Sequence, residues 1–320
     1  MKLSQSLIAE ELAIFEVRFK DAVKSQVSML DRITRFIVKR KGKQIRPMFV
    51  LLTARLCGGI TDSTYRAASL VELLHTASLV HDDVVDESME RRGFFSTYAL
   101  WKAKISVLLG DYLLAKGLLL SLDNHEFRIL QILTDAVRRM SEGELLQIEK
   151  SRTLNLEEKV YYEIISNKTA SLLASACSAG AYSAAGNEEH ASLMRQFGEK
   201  VGIAFQIKDD LFDYGSENVG KPTGNDIKEK KLTLPLIYTL NNTDKATRRK
   251  LIYTIKNNNN DPVKVKEVID AVVAAGGISY ATEAMFRYRD EALAILHQFP
   301  ETDTRMALEE LVRFTTDRKY

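Results

Sequence analysis

Two aspartate pentads of the same form stand in this chain, Asp82-Asp83-Val84-Val85-Asp86 and Asp209-Asp210-Leu211-Phe212-Asp213. Apolar stretches of helical periodicity precede them, Val71-Glu72-Leu73-Leu74 and Ile203-Ala204-Phe205-Gln206-Ile207. On a helix, residues four apart share a face, which sets Asp82 over Asp86 and Asp209 over Asp213. Carboxylates held that way repel one another, and the apolar context points them into an interior or a cleft. A hard divalent cation is the natural compensation. Mg²⁺ takes one or two carboxylates, keeps several waters and leaves positions for substrate phosphate. Two such clusters facing each other would hold a diphosphate through metal bridges.

Segments suited to phosphate lie around the pentads. Gly42-Lys43-Gln44-Ile45-Arg46-Pro47 ends a loop and opens a helix, with proline near the first turn. A helix N-terminus beside Lys and Arg is an anion site. Arg91-Arg92 follow Asp86, where guanidinium groups clamp phosphate or pair with Glu87 and Glu90. Lys168, in Asn167-Lys168-Thr169, interrupts a helix of Ala, Ser and Leu. Gly220-Lys221-Pro222-Thr223-Gly224-Asn225-Asp226 would let backbone approach a phosphate closely, and Lys230-Lys231 follow it. Taken singly, each of these also fits a solvated loop or a surface ion pair.

The elements that must carry these groups are helical. The prolines are Pro47, Pro222, Pro235, Pro262 and Pro300, so Met48 to Lys221 is free of them. Apolar residues there recur at three and four, as in Leu70, Leu73, Leu74, Ala77 and Val80, or Leu108, Tyr112, Ala115 and Leu119. No alternating run marks a sheet. Breaks fall at Gly58-Gly59, Gly93, Asp123-Asn124, Ser151 to Asn155, Gly186-Asn187, Gly215 to Gly224 and Asn257 to Pro262. None has the look of an interdomain linker, which predicts one all-α domain over residues 1–320. Met1 to Lys20, with Glu10, Glu11 and Glu16, predicts an amphipathic helix and not a signal peptide. No apolar run approaches the roughly 20 residues of a membrane span.

Composition narrows the function classes. Hydrophobic residues make up 45% and charged residues 28%, a globular balance, and the net charge of +2 gives nucleic-acid binding no electrostatic support. Cys57 and Cys177 are the only cysteines, far apart, which points to a reducing compartment, no disulfide framework and a cytoplasmic protein. Trp101 and Tyr112 fit core positions, and His125 a solvated loop.

His81 to Ser88 followed by Arg91-Arg92-Gly93, and Phe205 to Asp213, resemble the first and second aspartate-rich motifs of trans-isoprenyl diphosphate synthases. The segments Gly42 to Pro47, Glu72 to Ala77, Gly110-Asp111-Tyr112-Leu113, Lys168-Thr169 and Gly220 to Asp226 fall in family order, and the long-chain, octaprenyl-type enzymes are the most similar. The resemblance implies a bundle of long helices around a deep central cavity, usually a homodimer. It implies that Lys43, Arg46, His75 and Arg92 bind isopentenyl diphosphate. Asp82, Asp86 and Asp209 would ligate Mg²⁺, on the order of three ions once diphosphate is bound, with Asp83, Asp210 and Asp213 in support. Arg91, Lys168, Thr169, Gln206, Lys221 and Lys231 would hold an allylic diphosphate, with Lys168 and Lys221 taking part in catalysis. The chain departs from the family at Lys41-Gly42-Lys43-Gln44, where Gly-Gly-Lys-Arg is common, and at Lys230-Lys231, where Gly-Lys is. The first loses one possible cation; the second leaves Lys230 as a rival to Lys231.

Product length follows from the helix of the first pentad. Ala77 and Ser78, one turn before Asp82, are small, and Leu74, Val71 and Leu70 lie beneath them. From Asp82 to Leu70 the helix rises about 18 Å, room for roughly three to four extended isoprene units. Family resemblance then points to a product well beyond farnesyl, about C30 to C45 and centred on octaprenyl. A short-chain synthase and a non-catalytic subunit of a hetero-oligomeric synthase remain open, as does a head-to-head condensing enzyme or terpene cyclase, which would not need Lys43, Arg46 and His75. A metal phosphohydrolase read from His81-Asp82 would need more histidines than His75, His125, His190 and His297 supply.

Overall fold

Helices occupy the periodically apolar stretches, Pro47, Pro235 and Pro262 fall in first turns, and polar caps mark many of the ends. The structure is a computed structural model that describes residues 1–39, 42–91, 93–154, 157–215 and 223–317. Arg92 and Lys221, both assigned to diphosphate above, lie outside the described residues. The single helix expected over Met1 to Lys20 is two, α1 (Lys2–Leu7) and α2 (Ala9–Ala22), because Ile8 leaves the helical region at φ −123°. Then come α3 (Ser28–Lys39), α4 (Ile45–Cys57) and α5 (Asp62–Val85), which carries most of the first pentad. Thr61 caps α5 by accepting the Thr64 N–H, and Thr64 returns the bond to the Thr61 N–H.

A hairpin follows, β1 (Glu90–Arg91) and β2 (Phe94–Phe95), antiparallel with Arg91 opposite Phe94, and Gly93 at φ 75° lies in its turn. No strand was expected; two residues per strand are too few for alternation to show. Next are α6 (Thr97–Leu122), α7 (Phe127–Thr153), α8 (Glu158–Ile165), a π-turn (Ser166–Ala170), α9 (Ser171–Ala185), α10 (Glu188–Phe212) and α11 (Asn225–Lys228). The chain closes with α12 (Leu234–Asn241), α13 (Lys245–Asn257), α14 (Pro262–Ala274), α15 (Gly277–Leu296) and α16 (Asp303–Asp317). The all-α class is the one that the periodicity predicts.

Two compact units emerge. The first comprises Met1–Val137, Ser175–Arg195 and Phe299–Leu308; the second comprises Arg138–Ala174, Gln196–Gln298 and Glu309–Tyr320. In the first unit α5 is the central element, with Leu73, Ala77 and Val80 packed with Val23, Ile33, Leu109 and Leu113. In the second, Tyr161, Ile165, Ala204, Ile207, Leu234 and Met285 form one cluster, and Leu236, Leu251, Ile255, Val268 and Val272 belong to another. Cys57 and Cys177 are buried and free, and burial pushes the Cys57 thiol up to about 12.

Glycine lets α6 lie directly on α5: a Cβ on Gly110 would fall 2.1 Å from His81 Nε2, and one on Gly117 2.8 Å from Leu70 Cδ1. Among the described residues α6 is also the one helix long and apolar enough, by length and composition, to cross a membrane. Asp111 and Lys116 divide its apolar run, so no uncharged stretch of roughly 20 residues shows in the sequence. In the same unit α9 meets α4 at Gly180, where a Cβ would sit 2.3 Å from Thr53 Oγ1 and 2.4 Å from the Val50 carbonyl oxygen. Thr53 cannot yield freely, since its hydroxyl donates to the Phe49 carbonyl at 2.7 Å. Alanine adds about 1 kcal/mol of helix propensity, but forcing the helices apart costs about 1–3 kcal/mol. Gly180→Ala should therefore lower stability in urea unfolding; an unchanged midpoint would contradict so close a contact.

Candidate active site

The second pentad ends α10, and its three carboxylates have different surroundings. Asp209 is half-exposed and lines a cavity of about 470 Å³ in the second unit. Asp210 is buried, and side-chain donors meet both of its oxygens: Tyr161 Oη donates to Oδ2 at 2.7 Å and Gln206 Nε2 to Oδ1 at 2.9 Å. Thr169 Oγ1 donates in turn to Gln206 Oε1 at 2.8 Å. The helix stops at Phe212, one residue short of the register that was expected to stack Asp213 on Asp209. The Asp213 carboxylate instead accepts the Asn225 and Asp226 N–H groups at 2.8 and 3.0 Å, satisfying donors at the start of α11 that have no partner within it.

Burial and crowding oppose ionisation here. Burial pushes the Asp210 carboxyl up to about 7, with Asp226 adding to it. Asp226 rises to about 6, first by burial and then by its neighbour Asp213. Glu229 lines the same cavity, so several hard oxygen donors gather there. Such a set suits a hard divalent cation that brings waters and a phosphate. Among the described residues no three His, Cys, Asp or Glu side chains converge as a ready-made metal centre.

Cations share that cavity. Lys168 and Thr169 line it from the π-turn, and Lys168 is ion-paired with Glu144 and lies 3.4 Å from Gln147 Oε1. Lys231 pairs with Glu229 and stands 3.8 Å from Asp226. Lys230 takes a left-handed conformation (φ 58°) and donates from Nζ to the Lys256 carbonyl at 2.9 Å, away from the cavity that Lys231 lines. Sequence reasoning assigned no role to Tyr161, Glu144, Gln147 or Asp226. No local spacing flags Tyr161, because its bond to Asp210 is tertiary.

The first pentad belongs to the first unit. Asp83 is buried and accepts from Arg91 Nε at 2.6 Å; burial raises its pKa and Arg91 opposes the rise. Asp82 is half-exposed and Asp86 exposed. Asp86 lies just past α5 yet keeps the helical bond, its N–H donating to the Asp82 carbonyl at 2.8 Å. Beside them a cavity of about 470 Å³ is lined by His75, Asp83, Arg91, Gly42 and Gln44, with Phe94 and Phe95 from the hairpin and Phe15 and Phe19 from α2. The α2 aromatics were not anticipated. Lys43 is exposed and Arg46 half-buried at the start of α4; Gly42 and Gln44, the latter left-handed at φ 52°, form the wall there. Leu74 and Ala77 are buried, Ala77 in the cluster with Leu109 and Leu113, and Ser78 is half-buried.

Comparison with known proteins gives the family. A family model described as Polyprenyl synthetase matches residues 27–272. The all-trans-nonaprenyl-diphosphate synthase (geranyl-diphosphate specific) of Rhodobacter capsulatus is 34% identical over 97% of this chain and 96% of its own. A polyprenyl synthase from Caulobacter crescentus CB15, solved with calcium and isoprenyl diphosphate, superposes with a TM-score of 0.91 at 34% identity, covering 100% of this chain and 98% of its own. A geranylgeranyl pyrophosphate synthase from Bacteroides thetaiotaomicron superposes with a TM-score of 0.84 at 37% identity over 99% and 98% of the two chains. The names of further relatives run from short-chain to heptaprenyl and octaprenyl synthases. The chain belongs to the polyprenyl synthetase family and is a trans-prenyl diphosphate synthase, a prenyltransferase of isoprenoid diphosphates.

Proposed function

We propose that the chain is a Mg²⁺-dependent all-trans polyprenyl diphosphate synthase that joins isopentenyl diphosphate head to tail to an allylic diphosphate and repeats the step to a long-chain product. The observation that carries this reading is the cavity wall where Asp209, Lys168, Thr169 and Lys231 come together. In this reading Asp82, Asp86 and Asp209 ligate the metal. Asp83, Asp210 and Asp213 support them, a role that suits carboxylates already engaged by Arg91, by Tyr161 and Gln206, and by the α11 amides. The calcium and isoprenyl diphosphate in the Caulobacter crescentus neighbour favour a divalent metal with a diphosphate. Bound Mg²⁺ would neutralise the departing diphosphate as a Lewis acid.

The chain's own groups do the rest. Lys168, released from Glu144, joins Thr169, Gln206, Lys231, Arg91 and Lys221 in binding the allylic diphosphate and stabilising the charge that develops as the C–O bond breaks. His75, Lys43, Arg46 and Arg92 orient isopentenyl diphosphate so that its double bond meets the allylic cation. Apolar walls such as Phe15, Phe19, Phe94 and Phe95 keep water away. No side chain stands out as a base, and we assign the final proton to the released diphosphate.

The same reading makes the enzyme one cytoplasmic domain that binds no nucleic acid and works as a homodimer. Exposed Leu100, Val107, Leu108, Leu119 and Leu122 on α6 support a self-association surface. A relative named heptaprenyl diphosphate synthase component 2, from Geobacillus stearothermophilus, favours a hetero-oligomer as the alternative. The nonaprenyl relative supports a long product, about C30 to C45 and centred on octaprenyl, built along a helix that rises about 18 Å from Asp82 to Leu70. The geranylgeranyl neighbour keeps a short-chain product as the rival.

Asp82→Ala and Asp209→Ala should each cut turnover by several orders of magnitude with the fold intact; near-normal condensation in either would end the metal assignment. Lys43→Ala and Arg46→Ala should raise KM for isopentenyl diphosphate, and Lys168→Ala should impair use of the allylic substrate, each roughly ten- to hundred-fold. A reversed pattern would exchange the two substrate sites.

Asp210 and Asp226 keep protons to higher pH folded (about 7 and about 6) than unfolded (3.8). The folded state therefore binds more protons between these values, and their contribution to metal-free stability is lost as pH rises through that window. Melting without metal from about pH 5 to about pH 8 should show the midpoint fall, and Mg²⁺ with inorganic diphosphate should restore it. A metal-free midpoint that rises across this range would contradict the burial of these acids.

Product analysis tests chain length. Ser78→Phe and Ala77→Phe should shorten the product towards farnesyl or geranylgeranyl while sparing the first condensation. A wild-type product that stops at farnesyl, or unchanged products in both variants, would refute the long-chain reading.

A further inference from the structure

Lys168 and Thr169 stand in a π-turn, Ser166–Ala170, in which the Ser171 N–H reaches back five residues to the Ser166 carbonyl. Such turns are rare and hold one more residue than an α-turn. Nothing within Ser166-Asn167-Lys168-Thr169-Ala170 demands one, for it contains neither proline nor glycine. The helices packed against it, α7 and α10, make close contacts with it.

Two glycines press on the turn. Gly143 of α7 lies so close that a Cβ there would stand 2.7 Å from the Lys168 backbone nitrogen and 2.9 Å from Asn167 Cβ. Gly202 of α10 would put a Cβ 2.6 Å from Ala170 Cα. Both contacts involve backbone, which cannot yield without reshaping the turn. Glycine inside a helix costs about 1 kcal/mol against alanine, so neither position is explained by its own helix. A polar bracket grips the start of the turn from the same two helices. Arg139 of α7 donates to Asn167 Oδ1 at 3.0 Å and Ser166 Oγ at 3.1 Å, and Ser166 Oγ donates to Glu199 Oε1 of α10 at 2.6 Å. Arg139 and Glu199 also meet at 3.3 Å.

We propose that Gly143, Gly202 and the Arg139–Ser166–Glu199 bracket are positioning residues that hold the π-turn and so aim Lys168 and Thr169 at the allylic diphosphate, an inference that rests on the substrate roles proposed above. An α-helix advances about 100° per residue, so losing the extra residue of the turn would rotate Lys168 relative to α8 or α9 by about that angle. The two helices that hold the turn also meet its functional side chains one helical turn further on. On α7, Gln147 follows Gly143 by four and approaches Lys168; on α10, Gln206 follows Gly202 by four and accepts from Thr169. Clamp and contact are therefore built on the same two helix faces.

The test uses the full chain with Mg²⁺, isopentenyl diphosphate and farnesyl diphosphate. Gly143→Ala, Gly202→Ala, Ser166→Ala and Arg139→Gln are compared with Lys168→Ala. The bracket and glycine variants should raise KM for farnesyl diphosphate tenfold or more and leave KM for isopentenyl diphosphate within twofold, with unchanged circular dichroism. Calorimetric binding of the unreactive farnesyl thiodiphosphate should weaken by a similar factor. Should the alanines at 143 and 202 fail to fold, Ser166→Ala and Arg139→Gln decide, since they remove hydrogen bonds without adding bulk. Folded variants with both KM values unchanged, or both raised in parallel, overturn the inference when Lys168→Ala is impaired. A Lys168→Ala enzyme with normal use of farnesyl diphosphate overturns the substrate role itself, and the inference with it.

Discussion

A carboxylate survives in a protein interior only if donors replace the water it gives up. Both pentads meet that constraint in the same way. The second aspartate of each is buried, Asp83 against the Arg91 guanidinium and Asp210 between Tyr161 and Gln206. The first aspartate, Asp82 or Asp209, is left half-exposed. One acid of each pair thus ties its helix into its own unit, and its neighbour keeps an exposed edge. The division follows from helical geometry, because adjacent residues point about 100° apart.

Rigid placement is the second requirement, since charged groups that stabilise a developing anion act best when already in place. Helices deliver it through close approach: Gly110 and Gly117 set α6 on α5, and Gly143 and Gly202 set α7 and α10 on the π-turn. The two lysines of the second cavity are also held, Lys168 by Glu144 and Lys231 by Glu229. On the function proposed above, a diphosphate would displace each of these anions.

Sequence periodicity was enough for most of the helices and the breaks between them, because helix faces and proline positions are local properties. It was enough, too, to see that Asp82 and Asp86 keep a four-residue relation. It failed at Asp213, whose carboxylate turns to amides twelve and thirteen residues on, a tertiary bond with no local signature. The hairpin at Glu90–Arg91 was too short to show a pattern, and Ile8 gave no proline or glycine to announce the break between α1 and α2. Which of Lys230 and Lys231 lines the cavity was undecidable from composition; the left-handed backbone at Lys230 separates them. Phe15 and Phe19 reach their cavity from far along the chain, so spacing could not foretell them.

The Arg91–Asp83 pair has a mechanical consequence. A hairpin of two-residue strands has too little hydrogen bonding and buried surface to be stable alone. It is attached to α5 through the guanidinium that also compensates the buried acid, and the next strand carries Phe94 and Phe95 into the cavity wall. Charge balance at the pentad and the shape of the apolar wall are thereby linked as a single variable. Drawing Arg91 towards another anion would loosen the anchor of the hairpin, so this cavity couples the ionic state of its floor to the fit of its hydrophobic rim.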